Sequence, residues 1–371
     1  MRRSHTIVLD VTERCNLKCV MCYFSKVDRL RFPPFDTSLS ERGNMPVAVF
    51  EKIAADLFPR AWRVALGCAA EPMIHPRFRE IVAVAGRYRI PDLWFPTNLL
   101  PLTEPTAEAI VDAGVTTVAV SIDGITRETY ETIRVGGKWD RLISRLELLR
   151  ETRRKRRRKR PRLRIIFTWM QSNRDQLRGL PAFAAAHGAS ELDVRFVSPT
   201  TGVDVGPELL SGEDPVELRA ELAATAREAV ARGLLLFSFP EFETAADRPR
   251  TLYGRIARRR WRLRAGLERL EYWRHLWRER RLGCAFPGRT WVVRPNGAVS
   301  PCTFWEEDPI GFYPAGDLAT IATGEPLARI RDGLVSGHPV GSCARCTQRR
   351  DAFYRPFRKL LGKPEPSGSG C

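Results

Sequence analysis

The sequence lacks any long hydrophobic run. No apolar stretch in its 371 residues is long enough to cross a bilayer, and no hydrophobic segment typical of a signal peptide follows the charged start at 1–5. Its nine cysteines are too few and too unevenly spaced for the disulfide framework of a secreted protein. These absences argue against a membrane-spanning or disulfide-stapled protein and predict a cytoplasmic one.

Acidic residues are also scarce relative to basic ones. The formal net charge is +18, and much of the excess lies in an unbroken basic run at 153–160 and a second basic stretch at 255–281. Such a charge is compatible with a nucleic-acid or anionic-membrane partner, but basic runs are also typical of solvated loops and helix faces. Because no RNA-binding motif accompanies them, a nucleic-acid partner is disfavoured.

Strand-like and helix-like patterns alternate from residue 5 to about residue 200. This alternation predicts an α/β fold of βα units around a parallel sheet, a partial (β/α)6 barrel resembling a TIM barrel, with the site at the carboxyl ends of the strands. The predicted strands are Thr6–Val11, Trp62–Leu66, Leu93–Pro96, Val115–Ile122, Leu163–Trp169 and Leu192–Val197. The predicted helices are Pro46–Phe58, Pro76–Arg87, Thr106–Ala113, Trp139–Arg150 and Arg174–His187.

Changes in composition divide the chain into four regions. The barrel is predicted at 1–215, a helical and basic connecting region at 216–281, a small α+β domain at 282–350 and a tail at 351–371. In the third region Asn296-Gly297 separates two strand-like runs, which is typical of a β-hairpin.

Three cysteines occupy one short loop directly after the first predicted strand: Cys15, Cys19 and Cys22. Structural zinc nearly always takes four ligands, so three thiols are an unusual number for it. Three thiolates on a cluster of four irons leave one iron without a protein ligand, and that iron can bind a substrate or cofactor. A redox-silent or zinc-binding loop is the alternative.

The C-x3-C-x2-C spacing of this loop resembles the signature of the radical S-adenosylmethionine (radical SAM) superfamily. The resemblance implies a [4Fe-4S] cluster whose open iron binds SAM, and a 5′-deoxyadenosyl radical that abstracts hydrogen from an unactivated carbon. It also implies that Met21 packs near the adenine of the cofactor.

Two later segments resemble motifs of the same family in the same order. Gly67-Cys68-Ala69-Ala70-Glu71-Pro72 is similar to the G-G-E-P segment that meets the methionine amino group, with Gly67 and Glu71 in place. Thr97-Asn98 is similar to the T-N-G segment, without its glycine, and Asn98 is a further candidate cofactor contact.

The end of the fourth predicted strand continues the resemblance. Ser121 and Asp123, within Ser-Ile-Asp-Gly, are implied to reach the ribose hydroxyls of SAM. The following segment, with Arg134 in Ile-Arg-Val-Gly-Gly, resembles the branch of the family that carries an extra carboxyl-terminal cluster domain. Arg134 is expected to contact the cofactor or substrate, or to form a surface ion pair.

A second cysteine group surrounds the predicted hairpin. Its members are Cys284, Cys302, Cys343 and Cys346. The spacing resembles SPASM/twitch domains, in the shorter twitch form, and implies one auxiliary [4Fe-4S] cluster that serves in electron transfer. Four thiolates could also hold structural zinc.

The sequence says least about the substrate. The resemblance implies an oxidoreductase-type enzyme with an electron donor such as flavodoxin or ferredoxin, and we expect oxidation or epimerisation of a small, sugar-like molecule. The alternative is a maturase of a ribosomally made peptide; an RNA-modifying protein and a non-catalytic iron–sulfur or zinc scaffold are more distant. The tryptophan-bearing basic stretch 255–281 suits peripheral contact with a membrane or packing on the barrel.

Overall fold

A computed structural model gives the architecture. It describes residues 3, 5–22, 43–197, 203–238, 284, 286–305 and 307–346. The basic stretch 255–281 and the tail 351–371 lie outside these residues, as does most of the predicted connecting region. No helix in the described part of the chain is long and apolar enough to cross a membrane.

Ten strands within the described residues form one sheet. Its order is β10-β9-β8-β1-β2-β3-β4-β5-β6-β7, and every neighbouring pair from β8 to β7 is parallel. The strands are β1 His5–Leu9, β2 Ala61–Leu66, β3 Asp92–Thr97, β4 Thr117–Ser121, β5 Arg162–Trp169, β6 Glu191–Phe196, β7 Leu235–Ser238, β8 Thr290–Val293, β9 Ala298–Ser300 and β10 Gly311–Phe312. The six predicted strands are confirmed, and the α/β fold with a parallel sheet is the one expected.

Helices connect the parallel strands, as βα units require. The connecting helices are α1 Val47–Leu57, α2 Phe78–Arg87, α3 Glu104–Asp112, α4 Arg127–Ile133, α5 Trp139–Lys155, α6 Leu180–Ala186 and α7 Pro215–Ala231; α8 Leu318–Thr323, α9 Glu325–Ser336 and α10 Ser342–Arg345 follow β10. Two of them begin at a threonine cap: the side chains of Thr103 and Thr126 accept hydrogen bonds from the third backbone N–H that follows, which stabilises α3 and α4.

The prediction of one helix over Arg174–His187 is wrong. A 3₁₀ turn covers Gln171–Gln176, and α6 begins only at Leu180. Within this turn the Asn173 side chain accepts a hydrogen bond from the Met170 N–H and donates to backbone carbonyls outside the turn, and Asn173 has a non-helical φ of −130°. These bonds fix the start of the segment as a 3₁₀ turn rather than the first turn of an α-helix.

The basic run 153–160 is part helix and part turn. Helix α5 continues to Lys155. Arg156, the residue that caps it, pairs with Glu108 and Asp112 of α3, at 2.9 and 3.3 Å. Arg156 therefore joins the end of α5 to α3.

The two faces of the sheet differ. One face packs against the helices and carries most of the core, including Phe50, Phe95 and Phe167. On the other face Val292, Val8, Ala65 and Trp94 form a separate small cluster across β8, β1, β2 and β3. This row lines the inside of the partial barrel, and residues two positions further along each strand share its face.

The carboxyl-terminal region joins the barrel sheet directly. Strand β8 pairs with β1, while β9 returns antiparallel to β8 through a turn in which Gly297 has φ +81°. The predicted hairpin is confirmed. The predicted domain boundary at residue 282 stays a prediction. Strands from both sides of it, β1 and β8, belong to one sheet.

Candidate metal and cofactor site

The three clustered cysteines lie on the loop that leaves β1. Cys19 is buried, Cys22 is half-buried and Cys15 is exposed, and the Cys22 N–H donates to the Cys19 carbonyl at 3.1 Å. Burial, opposed by the Arg134 guanidinium but aided by the Asp123 carboxylate and the neighbouring thiols, raises the pKa of Cys19 to about 11. A buried thiol of this kind needs a cationic partner to become a thiolate ligand, and an iron cluster supplies one.

The segment after α4 holds this loop in place. Lys18 N–H donates to the Val135 carbonyl at 2.9 Å, and Val20 N–H donates to the Ile133 carbonyl at 3.0 Å. Gly136, at φ +90°, forms the turn beside the loop. The loop is thus paired by its backbone to a segment more than a hundred residues away in sequence.

Glu71 organises the strand ends next to the loop. Its buried carboxylate accepts hydrogen bonds from Thr97 Oγ1 at 2.7 Å, from the Asn98 N–H at 2.6 Å and from the Met73 N–H at 3.3 Å. Burial raises the pKa of Glu71 to about 7, although these hydrogen bonds lower it. The backbone N–H of Glu71 donates to the Arg14 carbonyl at 3.0 Å, which ties β2 to the cysteine loop.

Asn98 makes the corresponding link from β3. Its Nδ2 donates to Asn16 Oδ1 at 2.8 Å, between the first two cysteines, and its Oδ1 accepts from the Leu100 N–H at 3.0 Å. Glu71 and Asn98 therefore lie against the loop, as the resemblance implies. Their contacts in the structure are with protein groups, and their predicted contacts with SAM stay predictions.

Asp123 and Arg134 form a buried ion pair beside Cys19. Arg134 Nη2 lies 2.5 Å from Asp123 Oδ2, and Arg134 Nη1 donates to Cys19 Sγ at 3.8 Å. The other Asp123 oxygen accepts from the Thr168 N–H at 2.8 Å. The expected surface ion pair of Arg134 is wrong, because its guanidinium is buried among the cysteine loop, β4 and β5.

The remaining predicted cofactor residues surround this pair. Ser121 ends β4 and is half-buried, Met21 is half-buried against the core, and Gly67 has φ +115° directly after β2. Gly124 is required by close packing, because a Cβ there would lie 2.5 Å from the Tyr130 N. The structure brings these residues to one edge of the sheet; the predicted contact of Asp123 with the ribose stays a prediction, since both its oxygens are engaged.

The second cysteine group lines one apolar cavity. Cys284, Cys302, Cys343 and Cys346 face it together with phenylalanine, proline and isoleucine side chains. Burial, with a smaller contribution from the other three thiols and against a backbone hydrogen bond from Phe304, raises the pKa of Cys302 to about 12. Within the described residues no three His, Cys, Asp or Glu side chains are close enough to hold one metal ion. Four thiols around an apolar cavity fit the donor set of a [4Fe-4S] cluster.

Sequence reasoning missed a polar cluster on the inner face of the barrel. Asp10 Oδ1 accepts from the Cys68 N–H at 2.6 Å, and its Oδ2 pairs with Arg294 Nη1 at 3.0 Å. Strand alternation could have indicated this pair, because Asp10 and Arg294 each follow an inward residue by two positions on adjacent strands. Only the pairing of β1 with β8 brings them together.

Cys68 lies beside this pair on the same inner wall. Its side chain is exposed, yet burial raises the pKa of its thiol to about 12, with Asp10 adding to the rise and Arg294 and Arg195 opposing it. Both properties fit a residue that lines a deep concave interior. Arg195 is held there by both oxygens of the buried Asp193, at 2.9 and 2.6 Å.

The part of the chain that carries the cysteine loop matches a family model. The model of the radical SAM superfamily matches residues 9–159, which include the cysteine loop, Glu71, Asn98, Asp123 and Arg134. The GTP 3′,8-cyclase of Listeria monocytogenes serotype 4b is 30% identical over 151 residues, covering 40% of this chain and 43% of the relative. The chain therefore matches less than half the length of that relative.

Structural similarity extends over nearly all of the chain. Streptococcus suis SuiB bound to its precursor peptide SuiA aligns with a TM-score of 0.60 at 17% identity, covering 91% of this chain and 67% of SuiB. The enzyme anSMEcpe with bound AdoMet and the Cp18Cys peptide aligns with a TM-score of 0.56 at 13% identity, covering 92% and 86%. At these identities the likeness shows a shared fold.

Proposed function

Because residues 9–159 form a domain of the radical SAM superfamily, we propose that this chain is an enzyme that cleaves SAM and abstracts hydrogen from a peptide or protein substrate. The observation that carries the proposal is the cysteine loop, with three thiols at the strand edge. Its backbone is bonded to the segments after β2 and α4, and the side chain of Asn16 to Asn98 after β3. That the chain is a radical SAM enzyme is supported by the match of residues 9–159, whatever its substrate.

The residues of the chain have distinct proposed roles at this site. Cys15, Cys19 and Cys22 would hold a [4Fe-4S] cluster, and Glu71 and Asn98 keep the loop in the conformation that presents the three thiols. When bound, the cluster and SAM supply a 5′-deoxyadenosyl radical. The row formed by Val292, Val8, Ala65 and Trp94 would give the barrel interior an apolar floor.

A peptide substrate is favoured by how far each similarity reaches. The likeness to the Listeria cyclase covers 40% of this chain and that to a probable GTP 3′,8-cyclase of Methanococcus maripaludis 62%, whereas the fold likeness to SuiB and anSMEcpe, each solved with a peptide bound, covers more than nine-tenths of it. This difference favours the alternative, a peptide maturase, over the expected small, sugar-like substrate. In this proposal the four carboxyl-terminal cysteines would hold an auxiliary cluster, and that cluster would accept an electron from the substrate radical.

Cofactor cleavage tests the enzyme class. The protein is reconstituted anaerobically with iron and sulfide, and 5′-deoxyadenosine is measured after adding dithionite and SAM. We expect about eight irons per chain, and loss of 5′-deoxyadenosine in a Cys15/Cys19/Cys22→Ala triple variant. No cleavage by a fully loaded protein would refute the proposal.

The substrate class is tested separately. Short peptides encoded beside the gene, and the low-mass fraction of a cell extract, are each added to the reconstituted protein. At least an about tenfold increase in 5′-deoxyadenosine release with a peptide, together with a mass change of that peptide, supports a maturase. Stimulation by the low-mass fraction alone would restore the small-molecule substrate and leave the enzyme class intact.

A further inference from the structure

Arg134 places a buried positive charge against one of the three cluster cysteines. Its side chain is 9% exposed, and its Nη1 donates to Cys19 Sγ at 3.8 Å. Charged side chains are almost never this buried without a partner. Asp123, which is fully buried, is that partner at 2.5 Å.

The surrounding backbone leaves the guanidinium little freedom. Arg134 N–H donates to the Tyr130 carbonyl at 2.8 Å, and the residues on either side of Arg134 accept hydrogen bonds from the cysteine loop. Asp123 is anchored in turn by the Thr168 N–H on β5. The result is a fixed series of contacts from Cys19 through Arg134 and Asp123 to β5.

We infer that Arg134 and Asp123 together set the reduction potential of the cluster held by Cys15, Cys19 and Cys22. The inference rests on the proposed function, since it requires that cluster. Reduction adds negative charge to a cluster and its thiolates, and a guanidinium N–H directed at a ligand sulfur stabilises that charge, which raises the potential. Asp123 lies on the far side of the guanidinium and offsets part of its effect.

The two residues should therefore act in opposite directions. In Arg134→Gln the cluster loses the positive charge and becomes harder to reduce. In Asp123→Asn the guanidinium is no longer neutralised and the cluster becomes easier to reduce. Arg134→Lys keeps the charge and should stay close to the wild-type protein. A purely structural role would not produce shifts of opposite sign.

An electron paramagnetic resonance redox titration of the reconstituted full chain tests this. The cluster of interest is identified by the part of the reduced signal that changes when SAM is added. At a fixed potential, the ratio of reduced to oxidised cluster should fall at least about tenfold in Arg134→Gln, a shift of about 59 mV for one electron, and rise in Asp123→Asn. The control Arg127→Gln removes an exposed arginine at the start of α4, paired with Asp140, and should leave the ratio unchanged.

The outcomes separate this inference from the proposed function. A SAM-sensitive signal whose ratio changes less than about threefold in Arg134→Gln and Asp123→Asn, or changes with the same sign in both, overturns the inference alone. A reconstituted protein without any SAM-sensitive signal overturns the proposed function itself. Should Arg134→Gln fail to fold, Asp123→Asn and Arg134→Lys carry the same test.

Discussion

Glu71 illustrates how a motif residue serves the site through protein contacts. Three donors converge on its carboxylate: one hydroxyl, from Thr97, and two backbone N–H groups, from Asn98 and Met73. The sequence indicated that Glu71 belongs to the site. It could not indicate this geometry, because the three donors come from two separate strand ends that only the folded sheet brings together.

Replacing Glu71 with glutamine should destabilise the protein. The amide presents N–H groups where the site requires an acceptor, so one buried donor loses its partner and the free energy of unfolding falls by about 2 kcal/mol. Anaerobic urea denaturation followed by tryptophan fluorescence measures the change. The control Glu80→Gln alters an exposed carboxylate paired with Arg77 and should shift the free energy by less than about 0.5 kcal/mol. Equal effects of the two variants would contradict this role.

Cys68 should react slowly with alkylating agents despite its exposure. Because burial raises the pKa of its thiol to about 12, the thiolate is rare at pH 8, and iodoacetamide should modify Cys68 on the order of a hundredfold more slowly than glutathione. The rate should rise about tenfold per pH unit above pH 8. Peptide mass spectrometry of the reconstituted protein measures it. Modification as fast as that of glutathione would show that the thiol does not line a protein-surrounded interior.

Among the strands, β5 and β6 depend on a buried charge pair that the sequence pattern did not reveal. Arg164 and Glu191 are almost fully buried on adjacent strands, 2.7 Å apart, and Arg164 also lies over the Trp94 ring at 5.7 Å. On the printed sequence Arg164 interrupts an apolar strand and looks like one more basic residue. Its partner begins a different strand, and the pairing becomes visible only with the strand register.

Loss of this pair should cost far more than loss of an exposed one. Arg164→Met removes a cation from the buried Glu191, whose carboxylate also pairs with Arg162 at 2.6 Å, and the free energy of unfolding should fall by about 3 kcal/mol. Arg156→Met removes the exposed pairs between α5 and α3 and should cost less than about 1 kcal/mol. Urea denaturation of both variants provides the comparison. A larger loss in Arg156→Met would mean that the helix contact outweighs the strand contact.

Element boundaries followed the sequence closely where packing is regular and failed where side chains bond to the backbone. Short β-branched and aromatic runs between amphipathic stretches placed all six predicted strands, because strands of a parallel sheet are buried on both faces and read as apolar runs. The 3₁₀ turn at Gln171–Gln176 was missed because Asn173 within it is held at a non-helical φ by hydrogen bonds that include one to the Asp123 carbonyl, 50 positions away. No local pattern encodes those partners.

At the scale of the whole chain, replacing Cys343 should disable the second cysteine group and leave the first intact. In Cys343→Ala we expect iron to fall from about eight to about four atoms per chain, with 5′-deoxyadenosine still formed but substrate turnover lost. Iron analysis and product detection check these two results independently. Cys68→Ser, which alters a cysteine outside both groups, should keep the full iron content. Unimpaired turnover in Cys343→Ala would contradict the proposed electron-transfer role. One zinc per chain in the parent protein would show that the second cysteine group holds zinc in place of a cluster.

The continuity of the sheet was the main feature that the sequence did not predict. The four regions were separated by composition, yet β8 extends the barrel sheet beside β1, and Arg294 pairs with Asp10. Parallel pairing between segments so far apart leaves no local signature, because each strand alone is only a short apolar run. The likeness to solved folds over nine-tenths of the chain agrees with one integrated molecule.

The pairing of β1 with β8 has a consequence for synthesis on the ribosome. The partner of Asp10 lies 284 positions later in the chain, so at about 5–20 residues per second the first strand waits tens of seconds for its neighbour. During that time one edge of β1 is uncovered, and uncovered strand edges recruit other chains. We therefore expect the nascent chain to depend on a chaperone until residue 294 emerges, and recombinant yield to rise when translation is accelerated late in the message.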